Sequence, residues 1–326
     1  MAANEAKLDR FDHLVPVEPW ANPWQPDGTY LADEDLLARL LSVAVGTAQR
    51  SGIVAAAADV WAAEELRRAG FDVDEVWPRR VKPRVLPRDV RNFIEGGALG
   101  KKLREEVEAR LTHDRARRAL PAEAHVLGAA YSKQADVVVA SWAAGVEVLI
   151  STKTMLSSYQ KNLRNRFEEG YGDAKNLRGR HPLASLGFLF IVGADIPATG
   201  LEFAVDMLRK LVRESDVYEC ACLLVIDGTQ GVEEDEGEDR APEDEPSALV
   251  ALKSQDGEDE EVEALSIEPI DPSSSTTVSI VPGLVPRDLA ADIFFERLIK
   301  AALDRMPVAV YTTVRKRLQS VTNSEV

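Results

Sequence analysis

Two β-branched runs, residues 136–142 (DVVVASW) and 146–153 (VEVLISTK), are separated only by Ala143, Ala144 and Gly145. A connection this short makes them an antiparallel hairpin. A helix is expected next, because Leu156, Tyr159, Leu163 and Phe167 fall on one stripe at spacings of three and four. Residues 186–192 (LGFLFIV) are apolar on both faces, as a strand covered on two sides should be. An amphipathic helix over 200–212 leads to a second apolar strand over 217–227. This order describes an α/β fold, a mixed central sheet flanked by helices.

The flanks read differently. Residues 1–30 hold Pro16, Pro19, Pro23 and Pro26 with Trp20 and Trp24 between them, an irregular arm pinned by its tryptophans. Helical spacing begins at Asp33, with Leu36, Leu37, Leu40, Leu41 and Ala44, and an alanine-rich helix over 55–69 stops at Gly70. A third helical pattern runs over 88–111 and is interrupted near Gly96 and Gly97. Beyond residue 276 a strand over 277–281, a helix over 287–303 and a last helix ending at Arg315, Lys316 and Arg317 are expected. The chain therefore divides into a mostly helical N-terminal region (1–85), an α/β core (86–228), an acidic loop (229–264) and C-terminal elements that pack on the core (265–326).

The net charge of −16 is concentrated in that loop: residues 231–263 carry 15 acids against Arg240 and Lys253. The other 293 residues carry only −3, so a nucleic-acid partner is not excluded. With almost no large apolar side chain, the loop cannot offset its ordering entropy and is expected to be disordered. Cys220 and Cys222 share one face of an apolar strand and are expected in the core. They are too few for a zinc site, and His13, His113, His125 and His181 show no ligand spacing. The first ten residues are charged rather than apolar and no run approaches a membrane span, so a reduced, cytoplasmic protein is expected.

The chemistry gathers in the hairpin. Asp136 opens the first strand and Lys153 closes the second, so antiparallel pairing brings them to one end of the sheet. Ser151 and Lys153 share a face, and the following helix can return Glu168 or Glu169 to that corner. Two acids and a lysine suit phosphodiester hydrolysis: a hard divalent ion takes one or two carboxylates plus phosphate oxygens, and a lysine orients water and offsets charge. Residues 150–180 are also locally basic, with seven Lys and Arg against three acids. Lys161, Asn162, Arg164, Arg166, Arg178 and Arg180 are the candidate phosphate contacts. Glu147, at the far end of its strand, reads as a solvent or partner contact.

These residues resemble the PD-(D/E)XK nuclease superfamily. Its usual second strand ends in Asp or Glu, any residue, then Lys; here Ser151 takes the acid's place. A branch of type II restriction enzymes has this Ser-x-Lys departure with its second acid moved to the following helix, as Glu168 and Glu169 would be. Ala135 stands where the family has proline. The resemblance covers roughly residues 90–228. It implies a restriction-endonuclease-like fold with helical N-terminal and C-terminal additions, and a DNA endonuclease dependent on Mg²⁺ or Mn²⁺. Asp136 and Glu168 would hold the metal, with Glu105 of an upstream helix (GGALGKKLREEVEARL) a further ligand. Lys153 would position the water, and Ser151 would sit behind the ligands. The setting would be restriction or phage defence, with DNA as partner and room for a homodimer and for a methyltransferase or another defence-system protein. Two rival readings are a nuclease-like domain that binds nucleic acid without cutting it, and a scaffold working through its acidic loop.

Overall fold

The computed structural model describes residues 7–16, 20–47, 52–111, 123–229 and 277–322. The disordered loop expected over 229–264 thus lies, but for its first residue, outside the described residues. Helices α1 (Glu34–Thr47) and α2 (Gly52–Ala69) precede strand β1 (Val76–Trp77) and the short helices α3 (Arg88–Glu95) and α4 (Lys101–Leu111). Strands β2 (Ala124–Leu127) and β3 (Ser132–Ala135) form a small separate hairpin. The expected central hairpin follows as β4 (Val137–Ser141) and β5 (Gly145–Met155). Then come α5 (Tyr159–Arg180), β6 (Ser185–Gly193), α6 (Ala198–Arg213) and β7 (Cys220–Asp227). Strand β8 (Ser279–Ile280) and helices α7 (Ala291–Arg305) and α8 (Thr312–Thr322) complete the chain.

The main sheet has the order β1-β4-β5-β6-β7-β8. Strands β5, β6 and β7 run parallel, joined through α5 and α6, while β1, β4 and β8 pair antiparallel at the two sides. The sheet is therefore mixed, and its most apolar strands sit at its centre. Every residue of β6 is buried, which is why its sequence shows no alternation.

Helices cover both faces. On one, α1, α2 and α7 pack on Val137, Val139, Val148, Ile150, Cys220 and Cys222, so both cysteines are core residues. On the other, α5 lays Tyr159, Leu163, Phe167, Ala174 and Leu177 against Phe188 and Phe190. That stripe follows the helical repeat and continues through Gly170, where a Cβ would stand 2.7 Å from the Phe188 ring. Larger residues there would lift α5 off the sheet. The N-terminal arm is pinned as expected: Trp24 is buried edge-on against Tyr30, and Arg80 stacks over Trp20 at 4.7 Å.

Candidate active site

The β3–β4 junction and the later half of β5 build the site. Asp136 sits between the two strands, partly exposed, and its Oδ2 accepts a 2.7 Å hydrogen bond from the Thr152 backbone N–H. Alternation along β5 then sends Thr152 toward α2, and Ser151 and Lys153 toward α5. Asp136, Ser151, Asp173, Tyr218 and Lys133 line a cleft.

Helix α5 returns to this corner as the sequence predicts, and it is Glu169 that it turns inward. The Glu169 carboxylate stands 3.8 Å from Lys153 Nζ and 3.4 Å from Arg166. Glu168 points to solvent, 63% exposed, and pairs with Arg164 at 2.9 Å. Glu105 does not arrive. It lies 60% exposed beside Lys101 on α4, a helix that buries none of its side chains.

The helix packed across the hairpin is α2, and it carries an acid the motif reading missed. Asp59 lies on the Thr152 side of β5, close enough for the charges of Asp136 and Lys153 to act on it. Its carboxyl is held well above the usual range, first by burial and then by repulsion from Asp136. Burial also raises Asp136, against Lys153, the Thr152 N–H and Lys133, which favour its charged form. The Thr152 hydroxyl lies near Asp59 and favours its ionised form, yet misses hydrogen-bond geometry: Asp59 Oδ1 and Thr152 Oγ1 are both buried without a partner. On the same helix, Glu64 and Glu65 are more deeply buried than Asp59 yet satisfied, by Arg67 and Arg80 and by Arg68, Tyr30 and the Asp33 N–H. Among the described acids of α2, Asp59 is the one with a buried oxygen left without a partner. A sequence signal was available: one acid between Ala58 and Trp61, both fully buried, in an otherwise apolar stretch.

The expected phosphate contacts on α5 scatter. Arg178 is buried, bonded to Glu219 at 2.6 and 2.7 Å and to the Ala184 carbonyl at 2.6 Å, so it staples α5 to β7. Arg164 and Arg166 are engaged by the two glutamates, Asn162 is half-buried and Arg180 is exposed. The Lys161 side chain lies outside the described residues. Glu147 is no surface contact. It is 2% exposed, accepts a 2.8 Å hydrogen bond from Ser141 and bonds the Tyr311 hydroxyl.

Among the described residues no three His, Cys, Asp or Glu gather as a ligand set, and no helix is long and apolar enough to cross a membrane. The ligand set Asp136, Glu168 and Glu105 is therefore not assembled; the acid whose charge acts on Asp59 is Asp136. No protein-family profile, curated protein or solved structure matches the chain.

Proposed function

We propose that this chain is a metal-dependent DNA endonuclease with a restriction-endonuclease-like core, acting in restriction or phage defence. The observation that carries the reading is the corner where Asp136 and Asp59 repel each other beside Lys153, with buried oxygens of Asp59 and Thr152 unpartnered. Two mutually repelling carboxylates in a low-dielectric site are costly unless a cation is brought between them. Mg²⁺ suits the corner, since it takes one or two carboxylates and fills its remaining positions with water and phosphate oxygens. Asp136 and Asp59 would hold it. When bound, such an ion lowers the pKa of water and offsets charge on the phosphate.

The chain's own residues supply the rest. The Thr152 N–H fixes the Asp136 carboxylate and favours its ionised form. Lys153 orients the attacking water and balances the charge that builds on the phosphoryl oxygens, and Glu169 holds Lys153 toward the corner. Ser151 takes the family acid's place on the cleft wall, beside Tyr218.

Plasmid DNA incubated with Mg²⁺ tests this. The wild type should cut, and Asp136→Asn and Lys153→Met should each cut at least about a thousandfold more slowly while melting like the wild type. A wild type that cuts neither methylated nor unmethylated DNA, with Mg²⁺ or with Mn²⁺, would sink the enzymatic reading. Retained gel-shift binding in that case would leave a nuclease-like domain that only binds, the reading that Ser151 favours.

A further inference from the structure

We propose that the DNA backbone enters this site along the β2–β3 hairpin, with Lys133 as its innermost phosphate contact and Asp173 and Asn176 of α5 as positioning residues. The inference rests on the nuclease reading above and places its substrate track.

The small hairpin is not part of the main sheet; it is moored to α5 by side chains. Asn176 Oδ1 accepts the backbone N–H groups of Ala130 at 2.8 Å and Tyr131 at 3.2 Å, and Nδ2 donates to the Tyr131 carbonyl at 3.0 Å. Asn176 comes so close that a Cβ on Gly128 would stand 2.2 Å from its amide nitrogen, so only glycine fits that turn. Asp173, 5% exposed, pairs with Lys133 at 2.8 Å and accepts from the Tyr131 hydroxyl at 3.3 Å. A loop carrying only a surface turn would not need two buried polar anchors.

The anchors fix where Lys133 goes. In the register Val126 lies opposite Lys133 and Ala124 opposite Ala135, so these four share the face turned toward the protein, and His125 and Gln134 share the outer one. Lys133 thus runs inward into the cleft that Asp136 and Ser151 line, with its side chain 29% exposed at the mouth. Its ammonium has three donors, and Asp173 takes one of them, while the charge of Asp136 also favours the protonated amine. A phosphate oxygen at the mouth can take the third.

The other described cations of α5 and of the loop 79–84 do not line the cleft, and all but the exposed Arg180 are ion-paired. On α5, Arg164 and Arg166 are held by glutamates, Lys175 by Asp216 at 2.5 Å and Arg178 by Glu219. In the loop 79–84, Arg79, Arg80, Lys82 and Arg84 are bound by Asp74, Glu64, Asp9 and Asp12. Lys133 lies at the cleft itself and needs no rearrangement to meet a phosphate there.

Affinity of the full chain for a fluorescent 30-base-pair duplex, measured against salt with Ca²⁺ in place of Mg²⁺, tests the track. Each phosphate contact contributes about −0.9 to the slope of log affinity against log salt. Lys133→Gln should lower the slope by about that amount in protein that still folds, and Lys133→Arg should restore it. Arg164→Gln should leave the slope as it is. An unchanged slope in Lys133→Gln, beside a wild type that binds and cuts, would overturn this inference alone. A slope lost in Arg164→Gln instead would move the track to α5 and overturn it too. A wild type without salt-dependent binding would overturn the inference together with the nuclease reading.

Discussion

The β4–β5 hairpin carries an acid at each of its ends, and the two ends are finished in opposite ways. At the turn end, Glu147 is closed over: Ser141 bonds it from the partner strand and Tyr311 from the C-terminal segment. At the other end, roughly 15 Å away by strand rise, Asp136 accepts from the Thr152 N–H within repelling range of the Asp59 carboxyl, and buried oxygens of Asp59 and Thr152 are left over. One end satisfies its acid from within the chain. The other leaves acceptor capacity and repulsion in place, which natural proteins tolerate where a ligand relieves them. Burial of an acid alone therefore does not mark a site; the corner proposed as one adds repulsion between two acids and buried oxygens without partners.

The sharpest way to break this contrast is to neutralise the acid whose partners are missing. Asp59→Asn removes the repulsion with Asp136 and supplies an amide that can donate to the Thr152 oxygen. Because burial and Asp136 raise the Asp59 pKa, this acid favours the native state at low pH and that contribution is lost as pH rises through its folded value. The variant should therefore melt higher than the wild type without metal, with the gain largest at alkaline pH. It should also lose about a hundredfold in cleavage. Calorimetry with and without Mg²⁺ decides: millimolar Mg²⁺ should raise the wild-type melting temperature and leave that of the variant where it was. A variant less stable than the wild type at pH 8 would make Asp59 an ordinary structural acid.

The same contrast explains what the sequence could and could not reveal. The hairpin, the fully apolar β6 and the α5 stripe follow from side-chain period, and Asp136 and Lys153 follow from antiparallel pairing, all within 58 residues of chain. Asp59 was missed because it reaches the corner from α2, a helix read for its alanines, and helix-to-sheet packing is not written in local spacing. Glu105, the acid expected from an upstream helix, stays away from the corner because α4 docks no buried face. Glu147 was misplaced for two reasons. The register shift after Val139 makes it the extra residue of a bulge, which breaks simple alternation, and its cover, Tyr311, is 164 residues away. Arg178 reads as one more surface cation until Glu219 is brought beside it by the β6–β7 pairing.

The closed end makes its own prediction. Burial lifts the Glu147 carboxyl to about 7, with Glu75 adding repulsion and Ser141 opposing it. A raised carboxyl pKa stabilises the native state fully below the unfolded value of 4.5, and the contribution fades as pH climbs through 7. Stability should fall by about 2–3 kcal/mol over that window. Glu147→Gln keeps both hydrogen-bonding positions without a titration, so its denaturation midpoint should be flat where the wild type declines, with cleavage unaltered. A wild-type midpoint that rises from pH 5 to pH 8 would show that this end is not sealed as described.

The smallest effect separates two neighbours on α5. Glu168 and Glu169 are adjacent, and the helical wheel alone does not choose between them; the first was the favoured ligand. The fold chooses the second, because the stripe that buries Leu163 and Phe167 rotates residue 169 toward β5 and residue 168 toward water. Glu168→Gln loses only an exposed pair with Arg164, which is worth at most a few tenths of a kcal/mol. Its cleavage rate should stay within about twofold of the wild type. Glu169→Gln leaves Lys153 without the carboxylate at 3.8 Å that draws it to the corner. The result should be about a tenfold slower cut, an effect on kcat rather than KM, because Lys153 acts as charge builds on the phosphate and not when DNA first binds. Equal losses in the two variants would mean that α5 contributes a general negative field; a larger loss in Glu168→Gln would place the outward acid on the DNA and reverse the assignment.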